Sequence, residues 1–153
     1  ILKMLDMETG EVTEPLGKTD LYIGCELNGN LFAYAVKEKD AYSVKVLDLD
    51  TGKLDTVLEG LEAFPDLYWG TEIKLLTFTN EEDNKKRTYQ YLGSGKYELV
   101  RTEAADPYYR IAEIKKDKVL VDYTVDQDPA RSQLATMSLK DFLEGNDNWV
   151  FLK

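Results

Sequence analysis

Three aspartates, each followed by aromatic residues, recur along the chain and are its clearest candidates for chemistry. They are Asp20 in "DLYIG", Asp66 in "DLYWG" and Asp106 in "DPYYR", and they lie 46 and 40 residues apart. Three carboxylates that converge on one point could hold a hard cation such as Ca²⁺, or bind a sugar or an amine. The alternative is that each Asp caps a turn before a strand by bonding to its own backbone, and the residue type favours this alternative.

The same motifs carry aromatic side chains and one arginine. These are Tyr22, Tyr68, Trp69, Tyr108, Tyr109 and Arg110. Exposed aromatic rings bind carbohydrate, peptide or protein, whereas buried rings fill a core, and strand alternation predicts that within each adjacent pair one ring points to either side. Arg110 replaces the glycine found at Gly24 and Gly70. We expect it to form an ion pair with a carboxylate, the alternative being an anionic ligand group.

Composition excludes several kinds of catalysis. The 153-residue chain contains no histidine and one cysteine, Cys25, which rules out a Ser-His-Asp or Cys-His catalytic set, a His-ligated zinc and an internal disulfide. An enzyme made from this chain would depend on carboxylates, Lys, Tyr or Arg. We therefore assign no catalytic residue, no metal and no cofactor.

Charge and hydropathy narrow the range of partners. The chain has 19 basic and 29 acidic side chains and a net charge of −10, with no basic stripe, so we expect no nucleic-acid partner. No apolar run approaches the roughly 20 residues that span a bilayer, so we expect no membrane insertion. The chain begins at Ile1 in a strand-like pattern without an initiator Met, and we expect it to be part of a longer protein.

Two further markers repeat with a similar period. The phrase "LDMETGEV" at residues 5–12 returns as "LDLDTGKL" at 47–54, and "YLGSGKYEL" at 91–99 is a weaker third copy. An aromatic residue that follows an apolar run recurs as Tyr34, Phe78 and Tyr123, at intervals of 44 and 45 residues. Such self-similarity at a period of 40 to 46 residues is typical of repeat architectures.

Short runs of alternating apolar and polar residues within each unit predict four antiparallel strands, joined by turns such as "NGN" and "DTG". We expect an all-β fold with units at about 1–19, 20–65, 66–105 and 106–153, the first of them only half a unit. One segment departs from this pattern. "SLKDFLEGN", with Ser138 as N-cap and Gly145 as stop, predicts a short helix near 138–145.

Four-stranded repeats of this length with a "D-x-x-T-G-K" type hairpin resemble the blades of a β-propeller, here about three and a half of them. The phrase "LDLDTGKL" is similar to those of several propeller families, including the TolB-like and surface-lipoprotein propellers of bacteria. The resemblance implies that the first strand of each unit lines a central channel, with the three aspartate motifs at equivalent positions around its rim. It also favours an extracytoplasmic or cell-surface location.

These observations lead to three functional hypotheses. The first is a non-catalytic binding or scaffold module that presents the channel rim to a protein, peptide or glycan. The second is a carboxylate-based glycoside-processing enzyme, or the propeller part of one, which requires two acidic side chains in one pocket. The third is a purely structural domain, without a pocket or a large apolar patch.

Overall fold

The computed structural model describes residues 3–16, 22–124 and 131–153, with the side chains of residues 22–25 excepted. Strands make up most of these residues. The strands are β1 (Met4–Leu5), β2 (Val12–Thr13), β3 (Tyr22–Asn28), β4 (Leu31–Glu38), β5 (Ala41–Asp48), β6 (Leu54–Leu61), β7 (Asp66–Trp69), β8 (Lys74–Asn80), β9 (Lys85–Gly93), β10 (Lys96–Ala104), β11 (Tyr108–Lys115), β12 (Lys118–Thr124), β13 (Ser132–Ser138) and β14 (Val150–Phe151), and the helix is α1 (Leu139–Leu143).

The strands form sheets in chain order. Sheet A pairs β1 with β2, sheet B contains β3 to β6, sheet C contains β7 to β10, and sheet D contains β11 to β14. Within each sheet every strand is antiparallel to its neighbour in sequence. The predicted all-β fold of tandem four-stranded antiparallel sheets is confirmed, and it is compatible with a propeller-like arrangement.

The repeated "D-x-x-T-G" phrase forms the same hairpin loop twice. Asp6 Oδ1 accepts hydrogen bonds from the backbone N–H groups two and three residues later, at 2.8 and 2.9 Å, and Asp48 Oδ1 does the same at 3.0 and 3.1 Å. Gly10 and Gly52 close the two loops with φ angles of 73° and 69°, which L-residues adopt only at a cost. The third copy differs, because Gly95 lies in a two-residue turn between β9 and β10.

In sheet D a helix replaces the hairpin between the third and fourth strands. Ser138 is the N-cap of α1: its Oγ accepts a hydrogen bond from the Asp141 N–H at 3.0 Å and donates one to Asp141 Oδ2 at 2.6 Å. Gly145, with φ at 76°, follows the C-cap. Phe142 is fully buried in the core beside sheet D. The predicted short helix is thus confirmed.

Sheet C is covered on both faces. Leu75 and Leu76 are adjacent on β8 and both fully buried, but Leu76 belongs to the core shared with sheet B and Leu75 to the core shared with sheet D. The opposite face of sheet D is less covered. It carries Leu134, Val150 and Leu152, which are about half exposed or more.

The aromatic residue of the second strand is equivalent in the three full sheets. Phe78 of sheet C packs against the core shared with sheet B, and Tyr123 of sheet D packs against the core shared with sheet C. Tyr34 of sheet B lies in a further buried cluster, on the face away from sheet C. Phe78 and Tyr123 therefore point toward the sheet that precedes their own in the chain, and Tyr34 points to the corresponding face of sheet B. The three positions define a common register.

Successive sheets are joined by matching hydrogen bonds at their first strands. Asn28 Nδ2 donates to Trp69 O at 3.3 Å, and Tyr68 OH donates to Ile114 O at 3.3 Å while accepting from the Ile114 N–H at 2.7 Å. Asn28 and Tyr68 are at the same register, because each pairs with the residue that lies three positions before the second-strand aromatic of its sheet. Glu113 holds this register in sheet D and is exposed. The joint between B and C is thus repeated between C and D.

Candidate functional site

A cleft of about 640 Å³ opens where the first strands of sheets B, C and D meet. Its charged and aromatic wall residues are Glu26, Phe64, Asp66, Tyr68, Trp69 and Arg110. Three separate sheets supply these side chains, so the cleft exists only because β3, β7 and β11 lie side by side. We call it the channel cleft.

The three charged residues of the channel cleft occupy one register. On the second strand of each sheet, the residue just before the repeated aromatic pairs with Glu26 in sheet B, with Asp66 in sheet C and with Arg110 in sheet D. Two carboxylates and one guanidinium therefore stand at equivalent positions on successive first strands. The repeated aspartate motifs did not identify Glu26. The spacing of Tyr34, Phe78 and Tyr123 could have done so, because Glu26 pairs with the residue just before Tyr34.

Asp66 is a partly buried carboxyl group of the channel cleft. Burial raises the pKa of its carboxyl group, against the hydrogen bond from Tyr108 and the positive charges of Arg110 and Lys86. Tyr108 OH donates to Asp66 Oδ2 at 3.1 Å. Burial, followed by the charge and hydrogen bond of Asp66, raises the pKa of Tyr108 to about 12. The phenol is therefore a hydrogen-bond donor at every physiological pH.

Arg110 and Glu26 are exposed and available to a ligand. Within residues 3–16, 22–124 and 131–153, Arg110 has no carboxylate within 4.0 Å, so the expected ion pair is not found in this part of the chain. The guanidinium can therefore donate to an acceptor group in the channel cleft.

The aspartate motifs are not equivalent, which corrects our expectation. Tyr22 pairs with the residue two positions after the second-strand aromatic of its sheet, and Tyr108 pairs with the residue one position after it. Tyr68, in contrast, pairs with the residue three positions before the aromatic. β7 has only four residues, Asp66–Trp69, and its last residue already pairs with Lys74 at the turn into β8. The motif of sheet C therefore lies further along its strand than the other two.

The predicted site residues accordingly separate. Asp66, Tyr68, Trp69 and Arg110 line the channel cleft, and Tyr108 reaches it through Asp66. Tyr68 and Trp69 point to opposite faces of sheet C, as alternation predicts. Asp20 lies outside the described residues, as does the side chain of Tyr22, whose backbone is in β3. Asp106 lines another cavity, and Tyr109 is buried.

A buried charge cluster lies between the channel cleft and the edge of sheet C. Lys86 Nζ is 3.2 Å from Glu103 Oε1, without the alignment of a hydrogen bond, and 3.2 Å from the centroid of the Tyr109 ring. Tyr109 OH donates to Glu103 Oε1, and Arg101 Nε donates to Glu103 Oε2 at 2.7 Å. Burial lowers the pKa of Lys86 and raises that of Tyr109. Sequence reasoning missed this cluster, because alternation alone places Lys86 at an ordinary strand position.

Neither a metal site nor a membrane span is found in the described part of the chain. No group of three acidic or cysteine residues there has the geometry to hold a metal ion. The helix found in that part is too short and too polar to cross a bilayer. No protein-family model and no curated protein sequence matches the chain.

Proposed function

We propose that the chain is a non-catalytic binding module whose channel cleft takes a glycan. The observation that supports this proposal is the placement of Glu26, Asp66 and Arg110 at one register on three first strands, facing one cleft. The two carboxylates accept hydrogen bonds from sugar hydroxyls, and the guanidinium donates to ring or hydroxyl oxygens. Phe64, with 39% of its surface exposed, offers an aromatic face beside them.

The charge balance of the channel cleft favours a neutral polar ligand. Two acidic groups and one basic group give it both donors and acceptors, so neither a polyanion nor a polycation is strongly attracted. A peptide or a protein loop with polar side chains meets the same requirement less fully, since the ring of Phe64 matches the flat face of a pyranose. Peptide and protein partners therefore remain alternative occupants.

A glycan array followed by calorimetry on the whole chain tests this proposal. We expect a saturable ligand whose affinity falls at least tenfold in both Asp66→Asn and Arg110→Gln, because each change removes a charged hydrogen-bonding group. Glu98→Gln, an exposed carboxylate on the outermost strand β10, is the matched control and should leave binding unchanged. An array without hits, or hits equally sensitive to Glu98→Gln, would refute the proposal.

A second candidate is a glycoside-processing enzyme, favoured by one observation. Glu26 and Asp66 share the channel cleft, and burial raises the pKa of Asp66, as a general acid requires. Hydrolysis of aryl glycosides by the wild-type chain, abolished in both Asp66→Asn and Glu26→Gln, would favour this function. Binding without turnover would favour the binding module. The cleft itself speaks against a purely structural domain.

We further propose that sheets A to D are blades of a β-propeller similar to the TolB-like or surface-lipoprotein propellers of bacteria. The repeated loops at Asp6 and Asp48 and the repeated joints at Asn28 and Tyr68 support this assignment. Upstream sequence that encodes further half-units would test it. Upstream sequence with no such repeat would count against it.

A further inference from the structure

A second cavity, of about 320 Å³, lies at the edge where sheets C and D meet, and it shares no wall residue with the channel cleft. Four aromatic side chains line it, together with three acidic ones. The aromatic residues are Tyr109, Tyr123, Trp149 and Phe151, and the acidic residues are Glu103, Asp106 and Asp147. We call this cavity the aromatic cage.

Trp149 and Phe151 stand at steep angles to the tyrosines, whereas Tyr109 and Tyr123 are nearly parallel, at 11° with ring centroids 6.2 Å apart. Trp149 is inclined at 58° to Tyr109 and at 62° to Tyr123, with ring centroids 5.2 and 6.3 Å apart. Phe151 is almost perpendicular to Tyr123, at 88° and 5.2 Å, and is 45% exposed. A well-packed core would cover such a ring. Here it faces open space, so a ligand that covers it gains hydrophobic free energy.

Negative charge is available at the opening of the aromatic cage. Asp106 is exposed and has no ion pair within the residues that the structure describes, and Asp147 keeps 82% of its side chain exposed although Arg101 contacts it at 2.8 Å. Glu103, deeper, is already shared by Arg101 and Lys86. Burial raises the pKa of Tyr123, and the charges of Asp147, Glu103 and Asp106 raise it further.

We propose that the aromatic cage binds an organic ammonium group, of the quaternary or methylated type. Aromatic faces attract such a cation through their quadrupoles when it lies within about 6 Å of the ring centroids. The carboxylates of Asp106 and Asp147 add long-range attraction, whereas an anionic ligand would be repelled. A methylated ammonium has no N–H groups to satisfy, or few, so walls made of rings suit it better than walls of hydrogen-bond acceptors.

Choline and its neutral isostere 3,3-dimethylbutan-1-ol test the proposal directly on the ¹⁵N-labelled whole chain. We expect choline to shift the Trp149 indole and the Phe151 amide resonances in a saturable way, with the isostere about 5- to 30-fold weaker. Equal affinities for the two probes would mean that the charge is not recognised and would overturn the proposal. So would the absence of a saturable shift with choline.

Two variants and one control locate the binding. Trp149→Leu keeps an apolar side chain but removes a ring, and should weaken choline binding about 3- to 10-fold. Asp106→Asn changes an exposed side chain and should weaken binding about 2- to 5-fold, with a reduced salt dependence. Tyr97→Leu, which removes a partly exposed ring outside the cage, should change nothing. Wild-type affinity in both cage variants would overturn the proposal.

Discussion

Replacing Tyr68 by Phe tests the joint between sheets C and D with a single atom. The ring and its packing stay, but the hydroxyl that accepts the Ile114 N–H at 2.7 Å is lost. Ile114 is 7% exposed, so its N–H has little access to water. A buried donor without an acceptor costs about 1–3 kcal/mol. In a chain of this size each kcal/mol lowers Tm by about 2–4 °C.

Thermal and urea unfolding of Tyr68→Phe, compared with Tyr97→Phe, measure this cost. Tyr97 is 43% exposed and makes a ring contact with Tyr89, so its hydroxyl should contribute less than about 0.5 kcal/mol. Hydrogen exchange of the Ile114 amide should accelerate in Tyr68→Phe alone. Equal stabilities of the two variants, together with unchanged exchange at Ile114, would refute the joint as we describe it.

Four other changes probe the buried charge cluster, the Tyr108–Asp66 hydrogen bond and the repeated loop. Glu103→Gln should cost about 3–5 kcal/mol in urea unfolding, because it leaves the buried ammonium of Lys86 without its counter-charge. The folded pKa of about 12 for Tyr108 lies above its ordinary value of 10.0, so this residue stabilises the fold below pH 10 and loses that contribution between pH 10 and about 12. Tyr108→Phe should flatten this alkaline decline, and Asp66→Asn should lower the pKa of Tyr108 in an ultraviolet tyrosinate titration. Gly52→Ala, at φ 69°, should cost about 1 kcal/mol in thermal unfolding without a change in fold.

The sequence predicts the sheets well because strand alternation and turn chemistry are local. The loops at Asp6 and Asp48, the turn at Gly95 and the helix capped by Ser138 all depend on residues within a few positions of each other. Each could therefore be identified from its own segment. The spacing of the second-strand aromatics is likewise preserved, since Tyr34, Phe78 and Tyr123 each pack on the corresponding face of their own sheet.

The candidate site was predicted only in part, because it depends on register. The aspartate motifs recur at intervals of 46 and 40 residues and the aromatic marker at 44 and 45, and this disagreement already indicates that one motif has moved along its strand. Tyr22 and Tyr108 begin their strands, whereas Tyr68 lies near the end of the four-residue β7. Lys86 was missed for another reason, since its burial depends on Tyr109 of the next sheet.

The pKa of the Asp66 carboxyl group, measured by ¹³C NMR in the wild type and in Arg110→Gln, tests most directly whether the first strands of separate sheets meet at one cleft. The charge of Arg110, from sheet D, lowers the pKa of Asp66, in sheet C, so the substitution should raise it. Arg87→Gln, which removes an arginine paired with Asp83 instead, should leave it unchanged. An Asp66 pKa that is identical in the wild type and in Arg110→Gln would contradict the convergence of these strands.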